Sequence, residues 1–164
     1  MNPQAYPELT LSLQWANPRH KSLLPRHAVS RAIRHTLKCG LMEGSQIKSD
    51  LLSAEITIRV VDAEEAQALN LQYRAKDYAT NVLTFDYAKQ PVLCADIVLC
   101  APVLEAEALE QGKALRAHYV HMLVHGTLHA MGYDHERSAR EAERMEGLEI
   151  LILQGLGYST PYEA

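Results

Sequence analysis

The chain has 164 residues, of which 48% are hydrophobic, which suits one globular core and predicts a single domain over residues 1–164. Apolar runs fall short of the ~20 residues that span a bilayer, and the first residues lack a basic-then-apolar signal pattern, so we expect a cytoplasmic protein without a membrane partner. A formal net charge of −4 argues against a protein that coats nucleic acid non-specifically.

Hydrophobic periodicity predicts strands and helices in a clear order along the chain. The predicted strands cover residues 9–15, 54–61, 82–87 and 93–100. The predicted helices cover residues 26–39, a segment from Asp62 to the 74–77 loop, and roughly residues 102–111, 115–131 and 139–156. Gly40 should end the first helix, and Asp62 with Glu65 should form a capping box for the second. We therefore expect an α+β fold in which a small mixed sheet of about four strands packs against about five helices.

Cysteines and basic residues each leave a choice of interpretation. Cys39, Cys94 and Cys100 are odd in number and match no CxxC spacing, which predicts buried or free thiols in a reducing cytosol. Basic residues and histidines also crowd residues 19–38, which indicates either a local nucleic-acid cleft or a solvated helix face plus loop. The members of this basic segment are Arg19, His20, Lys21, Arg26, His27, Arg31, Arg34, His35 and Lys38.

Three histidines close together in sequence predict a metal site on a helix in the C-terminal half and the loop that follows it. His125 and His129 are four residues apart, so a helix places both imidazoles on one face. Gly132 allows the chain to leave the helix with a positive φ, and His135 can then fold back as a third ligand. Three nitrogen ligands with a fourth position left to water describe a catalytic zinc site with one ion per chain. The alternative is a surface helix that carries solvated histidines.

Two further histidines, His118 and His121, fall on the same face of that helix. They could line the approach to the metal or support its ligands. The alternative is that both are ordinary hydrogen-bonded histidines on the helix surface.

The spacing of the three histidines matches the zinc-binding run of metzincin proteases, which place a glutamate directly after the first histidine. Here Gly126 occupies that position, and a glycine cannot serve as the general base of a peptidase. A metal can still activate water, and a phosphodiester is a reasonable target if an arginine shares its charge. Arg74, in the predicted 74–77 loop, is the candidate, although such an arginine is more often a cap or a surface charge.

The run His125-Gly-Thr-Leu-His-Ala-Met-Gly-Tyr-Asp-His135, together with residues 69–85, resembles the YbeY family of bacterial endoribonucleases. Residues 95–97 and 145–149 fit the same pattern, so the resemblance covers most of the chain beyond about residue 54. It implies that His125, His129 and His135 bind zinc and that Arg74 is functionally required, which makes Arg74 and His125 the catalytic candidates.

The resemblance also implies an activity and partners. The expected activity is a metal-dependent, single-strand-specific endoribonuclease that matures the 3′ end of small-subunit 16S rRNA and takes part in ribosome quality control. Ribosomal RNA, the small subunit, and ribosomal-protein or GTPase assembly factors are the implied partners. The chain departs from the family pattern at Ala75, Asn81, Ala95 and Ala130, and the two alanines that replace usual glycines, Ala75 and Ala95, restrict the backbone.

Two other functions remain open from the residues alone. One is a zinc peptidase, against which Gly126 counts. The other is a non-catalytic ribosome-assembly factor with a structural metal, which would need a fourth protein ligand to close the site. Cys94, Cys100 and Asp134 are candidates for that ligand, although Asp134 could instead orient an imidazole or cap the following turn.

Overall fold

Four strands and five helices make up the described part of the chain, residues 7–42 and 51–159 of a computed structural model. In chain order they are β1 (Glu8–Trp15), α1 (Arg26–Met42), β2 (Ser53–Val61), α2 (Ala63–Arg74), β3 (Val82–Ala88), β4 (Val92–Cys100), α3 (Ala101–Gln111), α4 (Leu115–Ala130) and α5 (Ala139–Gly155), with a short 3-10 turn at Lys21–Leu23. These elements confirm the predicted α+β class.

The sheet is mixed, with the strands in the order β1-β2-β4-β3. The first three strands in that order are parallel, and β3 runs antiparallel to β4 at the edge of the sheet. A parallel neighbour requires a crossover connection, whereas β3 and β4 are joined by a short turn. The edge position of β3 leaves its residues 86–88 exposed, while much of β4 is buried.

Apolar residues form a core on each face of the sheet. The larger core joins β1, β2 and β4 to α1, α4 and α5, and it includes the fully buried Tyr119, Leu123 and Leu128 of α4. The smaller core lies under α2 and contains Ala66 and Leu83. Because α4 is sandwiched between other elements, most of its residues are buried. None of the helices in the described residues is long and apolar enough to cross a membrane.

The beginning of α2 differs from the predicted capping box. Asp62 is the N-cap residue, but its side chain caps no backbone N–H and instead accepts a 2.6 Å hydrogen bond from Asn17 Nδ2. Glu65 accepts two hydrogen bonds from Arg59, at 2.6 Å from Nε and 2.9 Å from Nη2. The capping box is therefore wrong, because a bidentate charge-assisted pair outcompetes a single bond to a backbone N–H.

Gly40 does not end α1, which continues to Met42. A Cβ atom at position 40 would lie only 2.6 Å from Met131 Cε. Gly40 therefore permits a close approach between α1 and the end of α4, and the predicted helix stop is wrong at this position.

Candidate metal centre

His125 and His129 lie one turn apart on α4, where the helix passes from the larger core to the cleft. Val120, Leu123 and Val124 are buried in the core. The two histidines are only partly buried, and their Nε2 atoms lie 3.1 Å apart. The i, i+4 spacing thus brings two ring nitrogens to one point, as helix geometry requires.

His135 reaches the same point because the chain turns back after α4. Gly132 adopts a positive φ of 101°, as predicted, and Tyr133 N donates to Leu128 O at 3.0 Å. The His135 ring then lies 5.2 Å from the His125 ring and 5.0 Å from the His129 ring, between centroids. One nitrogen from each of the three rings lies within 4.8 Å of the other two. The structure therefore brings together the three histidines that the motif singles out.

The electrostatic environment keeps the His129 ring ready to bind a cation. Burial, together with the neighbouring His125 and His135, lowers the pKa of His129 to about 4. The ring is therefore neutral at neutral pH, and it has a lone pair available. A neutral imidazole is the form that binds a metal ion.

Glu149 on α5 is a member of the site that sequence reasoning missed. Its carboxylate is 1% exposed and accepts hydrogen bonds from His125 Nδ1 and, at 3.4 Å, from His121 Nε2. Burial is the largest single influence and opposes its ionisation, but the hydrogen bonds and the electrostatic attraction from His121 and His125 together outweigh it and lower the pKa of Glu149 to about 2. Since Nδ1 of His125 donates to this carboxylate, Nε2 carries the lone pair that faces the other histidines.

A signal for Glu149 does exist in the sequence. The apolar stripe of α5 contains Met145, Leu148 and Ile152, and Glu149 falls on that stripe at helical spacing. A carboxylate on a buried face is almost always paired, because an isolated buried charge is costly. The pattern therefore indicates a buried partner, although it does not identify the partner as a histidine.

The donor set fits a zinc ion. Zinc binds imidazole nitrogens at about 2.0–2.1 Å in a tetrahedron, which places two ligand nitrogens roughly 3.3 Å apart. The observed 3.1 Å between the Nε2 atoms of His125 and His129 is close to that separation. The fixed tautomer of His125 adds the carboxylate support that zinc-bound histidines commonly have.

The three histidines have no fourth protein ligand among residues 7–42 and 51–159. Asp134 caps the following turn, because its Oδ1 accepts a 2.8 Å bond from Glu136 N and its Oδ2 a 3.2 Å bond from Arg137 Nε. Cys94 lies on the sheet beside Glu55, and Cys100 is buried in the smaller core. The cluster therefore has the composition of an open site.

A cleft of about 830 Å³ surrounds the histidines and is bounded by β3, the end of α2 and the turn after α4. Arg74 lines this cleft, and it is the last residue of α2 rather than a loop residue. Its Nη2 lies 3.7 Å from Glu136 Oε1, and the same carboxylate oxygen is 3.9 Å from His135 Nε2. Arg74 thus faces the same cleft as the histidines.

Ala75 ends α2 in the left-handed conformation, with φ 57° and ψ 32°. This conformation costs a non-glycine residue about 1–2 kcal/mol, and it is where the resemblance expects a glycine. Ala75 therefore adopts the same backbone turn that a glycine would, and the turn places Arg74 in the cleft at a cost in backbone strain.

Gly126 faces the sheet and not the cleft centre. A Cβ at this position would lie 2.8 Å from Ile97 Cγ2 and 3.3 Å from Thr84 Oγ1. The hydroxyl of Thr84 also donates a 3.3 Å hydrogen bond to Gly126 O. Because α4 approaches the sheet so closely, a glutamate here would collide with the sheet before it could act as a base, which strengthens the case against a peptidase.

His118 and His121 are both hydrogen-bonded, as the alternative interpretation expects, but they are buried and do not lie on the helix surface. His121 lines the cleft and shares Glu149 with His125, so it supports the cluster. His118 instead donates a 2.9 Å hydrogen bond to Glu107 Oε1, away from the cleft. Asn81, one of the positions at which the chain departs from the resemblance, donates to the same Glu107 carboxylate.

The basic segment lies apart from the histidines. Its helix, α1, packs against α4 and α5, and Arg26 and Arg31 donate to the backbone oxygens of Leu11 and Leu156. Within the described ranges, the cleft is lined from α2, β3, α4 and the adjoining loops and not from this segment. The choice between a separate nucleic-acid cleft and a solvated helix face for this segment therefore stays a prediction.

The fold and the cleft define a small α+β protein whose candidate centre is an open group of three histidines. A family model described as Endoribonuclease YbeY matches residues 14–157. The chain belongs to the endoribonuclease YbeY family, as the motif resemblance predicts. Endoribonucleases YbeY of Paracidovorax citrulli and of a Polaromonas species are 58% and 56% identical to it over 159 residues, which are 94% of this chain and 96% and 95% of those proteins.

A solved structure shares the fold. The solution structure of TM1509 from Thermotoga maritima is 20% identical in sequence, covers 94% of this chain and 97% of that chain, and has a TM-score of 0.55. At that identity the likeness concerns the α+β fold alone.

Proposed function

We propose that this chain is a single-domain, zinc-dependent endoribonuclease that cleaves single-stranded RNA, with one ion per chain. Membership of the endoribonuclease YbeY family supports the endoribonuclease role. The observation that carries the zinc dependence is the convergence of His125, His129 and His135 in the cleft that Arg74 also lines. A cationic site beside an arginine suits a phosphodiester better than a neutral amide.

Each residue of the centre has a distinct task in this proposal. The three histidines would hold the ion. When bound, the ion would act as a Lewis acid that polarises the reacting oxygens and lowers the pKa of water. Glu149 fixes the ring of His125 through its hydrogen bond to Nδ1. Arg74 can leave Glu136, from which it is separated by 3.7 Å in a half-exposed pair, and donate to a phosphate oxygen instead. Arg74 would then stabilise charge that develops on the phosphoryl group.

We further propose that the substrate is the 3′ region of 16S rRNA, in maturation and quality control of the small subunit in the cytoplasm. This assignment rests on the family, whose curated members are endoribonucleases. The partners would be rRNA and the small subunit, with ribosomal-protein or GTPase assembly factors beside them.

The direct test is a cleavage assay with metal-loaded protein on end-labelled single-stranded RNA, duplex RNA and casein. The expected result is chelator-sensitive cleavage of the single strand alone, lost in His125→Ala. Robust casein hydrolysis by the wild-type protein, abolished by His129→Ala, would overturn the nuclease assignment in favour of a peptidase.

A further inference from the structure

Three aromatic side chains line the cleft on the far side of the edge strand from the histidines. Side chains alternate between the faces of a strand, and Thr84 of β3 faces α4 through its hydrogen bond to Gly126 O. Phe85 therefore faces the opposite way, where it packs against the smaller core under α2. Tyr87 lies on the same face, because its hydroxyl reaches Asp96, the residue of β4 that pairs with Phe85, and Tyr73 of α2 lies beside Phe85. The cleft thus runs over the edge of the sheet, from the histidines to the aromatic residues.

The two tyrosines are exposed to solvent, and contacts with neighbouring side chains hold them in place. Tyr73 and Tyr87 are 60% and 67% exposed, respectively. The ring of Tyr73 meets Phe85 edge to face, with centroids 4.9 Å apart and planes at 66°. The hydroxyl of Tyr87 donates a 2.7 Å hydrogen bond to Asp96 Oδ2 on β4. Rings that are anchored at one side and open to solvent at the other lose little conformational freedom when a flat ligand stacks on them.

The position of these rings relative to the cationic groups suggests what the flat ligand is. Arg74 follows Tyr73 directly in the chain, and both line the cleft of the three histidines. Single-stranded RNA is complementary to this arrangement. Its phosphates bind positively charged groups, and the faces of its unpaired bases stack on aromatic rings. In a duplex the base faces are already stacked on one another and cannot contact these rings.

We propose that Tyr73 and Tyr87, with Phe85 as support, form a platform on which unpaired RNA bases stack while an adjacent phosphate lies at Arg74 and the histidines. This proposal rests on the proposed function and gives the preference for single strands a physical origin. The tyrosines are positioning residues, because they hold the strand and contact no reacting atom. The competing occupant is a peptide strand that pairs with the open edge of β3. If the surface binds such a peptide, RNA affinity should not depend on the presence of the bases.

The test uses the full chain and a matched set of variants. Tyr73→Leu removes the aromatic face, and Tyr73→Phe retains it. Tyr78→Leu is the control, because Tyr78 is 51% exposed and close in sequence but lies outside the cleft lining. Zinc content and Tm establish that each variant is folded and loaded. Binding to the metal-free form, in which EDTA prevents cleavage, is followed by the fluorescence of 2-aminopurine in a short single-stranded RNA, and KM and kcat are measured with the zinc-loaded form.

We expect Tyr73→Leu to weaken RNA binding by about fivefold to a hundredfold, the range for losing one base–aromatic stack, and to raise KM more than it lowers kcat. Tyr73→Phe and Tyr78→Leu should bind like the wild-type protein. An RNA with abasic nucleotides should bind wild-type protein and Tyr73→Leu equally weakly. Unchanged RNA affinity in Tyr73→Leu, or an equal loss on the abasic RNA, would overturn the platform.

The two proposals fail separately in this design. If the wild-type protein binds RNA through Tyr73 but does not cleave it, the endoribonuclease function fails and the platform stands. If it cleaves RNA and Tyr73→Leu cleaves and binds equally well, the platform fails and the function stands.

Discussion

Glu149→Gln should weaken zinc binding although it removes no ligand of the candidate centre. The carboxylate of Glu149 accepts hydrogen bonds from His125 and His121 in a site that is almost fully enclosed. A glutamine of the same size offers one acceptor oxygen and one amide group that can only donate. One of the two rings must therefore lose its hydrogen bond or change its tautomer, and the negative charge behind His125 is lost.

The size of the loss in zinc affinity follows from the contact that Glu149 makes with one metal-binding histidine, His125. Mutation of carboxylates that support a metal-bound histidine costs 10–100-fold in metal affinity, which corresponds to about 1.4–2.7 kcal/mol. The lower limit applies if the glutamine retains the bond to His125 and releases His121. The upper limit applies if His125 itself loses its orientation. Glu149→Ala, which also opens a cavity, should reach or exceed the upper limit.

The assay is competition for zinc against a chromogenic chelator at neutral pH. Glu146→Gln is the matched control, because Glu146 is an exposed glutamate on the same helix. The control should bind zinc like the wild-type protein. Equal zinc affinity in Glu149→Gln and Glu146→Gln, with both variants folded, would refute the role assigned to the buried carboxylate.

Three further predictions concern residues around the cleft. Arg74→Ala should lower kcat/KM for RNA by about a hundredfold, and Arg74→Lys should also lower it because lysine cannot donate bidentately, with zinc content unchanged in both. Unaltered cleavage would show that Arg74 takes no part in the reaction. Gly126→Glu should lower the free energy of unfolding by about 1–3 kcal/mol through its clash with Ile97 and confer no casein hydrolysis, whereas a stable, proteolytic variant would contradict the close packing of α4. Ala75→Gly should raise Tm by about 2–4 °C by relieving about 1 kcal/mol of left-handed strain, which an unchanged Tm would rule out.

Features that depend on neighbours in sequence were accessible without the structure. His125 and His129 meet because four residues make about one helical turn, and Gly132 provides the positive φ that returns the chain towards them. The four strands and five helices follow from apolar periodicity in the same way, because the period reports which face is buried.

Features that depend on packing between distant elements were not accessible. Glu149 meets His125 only because α5 packs against α4, and no local pattern specifies that pairing. Likewise Glu65 pairs with Arg59 instead of capping α2, because a bidentate salt bridge competes with the local rule. The local sequence predicts that Gly40 ends a helix, whereas in the structure Gly40 allows α1 to lie close to Met131 at the end of α4.

The zinc dependence of RNA cleavage is the central claim, and titration of the metal-free protein tests it most directly. Single-stranded RNA cleavage and bound zinc are measured together as the ion is added back. The rate should rise in proportion to bound zinc and level off at one ion per chain, and His135→Ala should neither bind zinc tightly nor gain activity. Full cleavage by chelator-treated protein, with zinc absent by elemental analysis, would contradict the account.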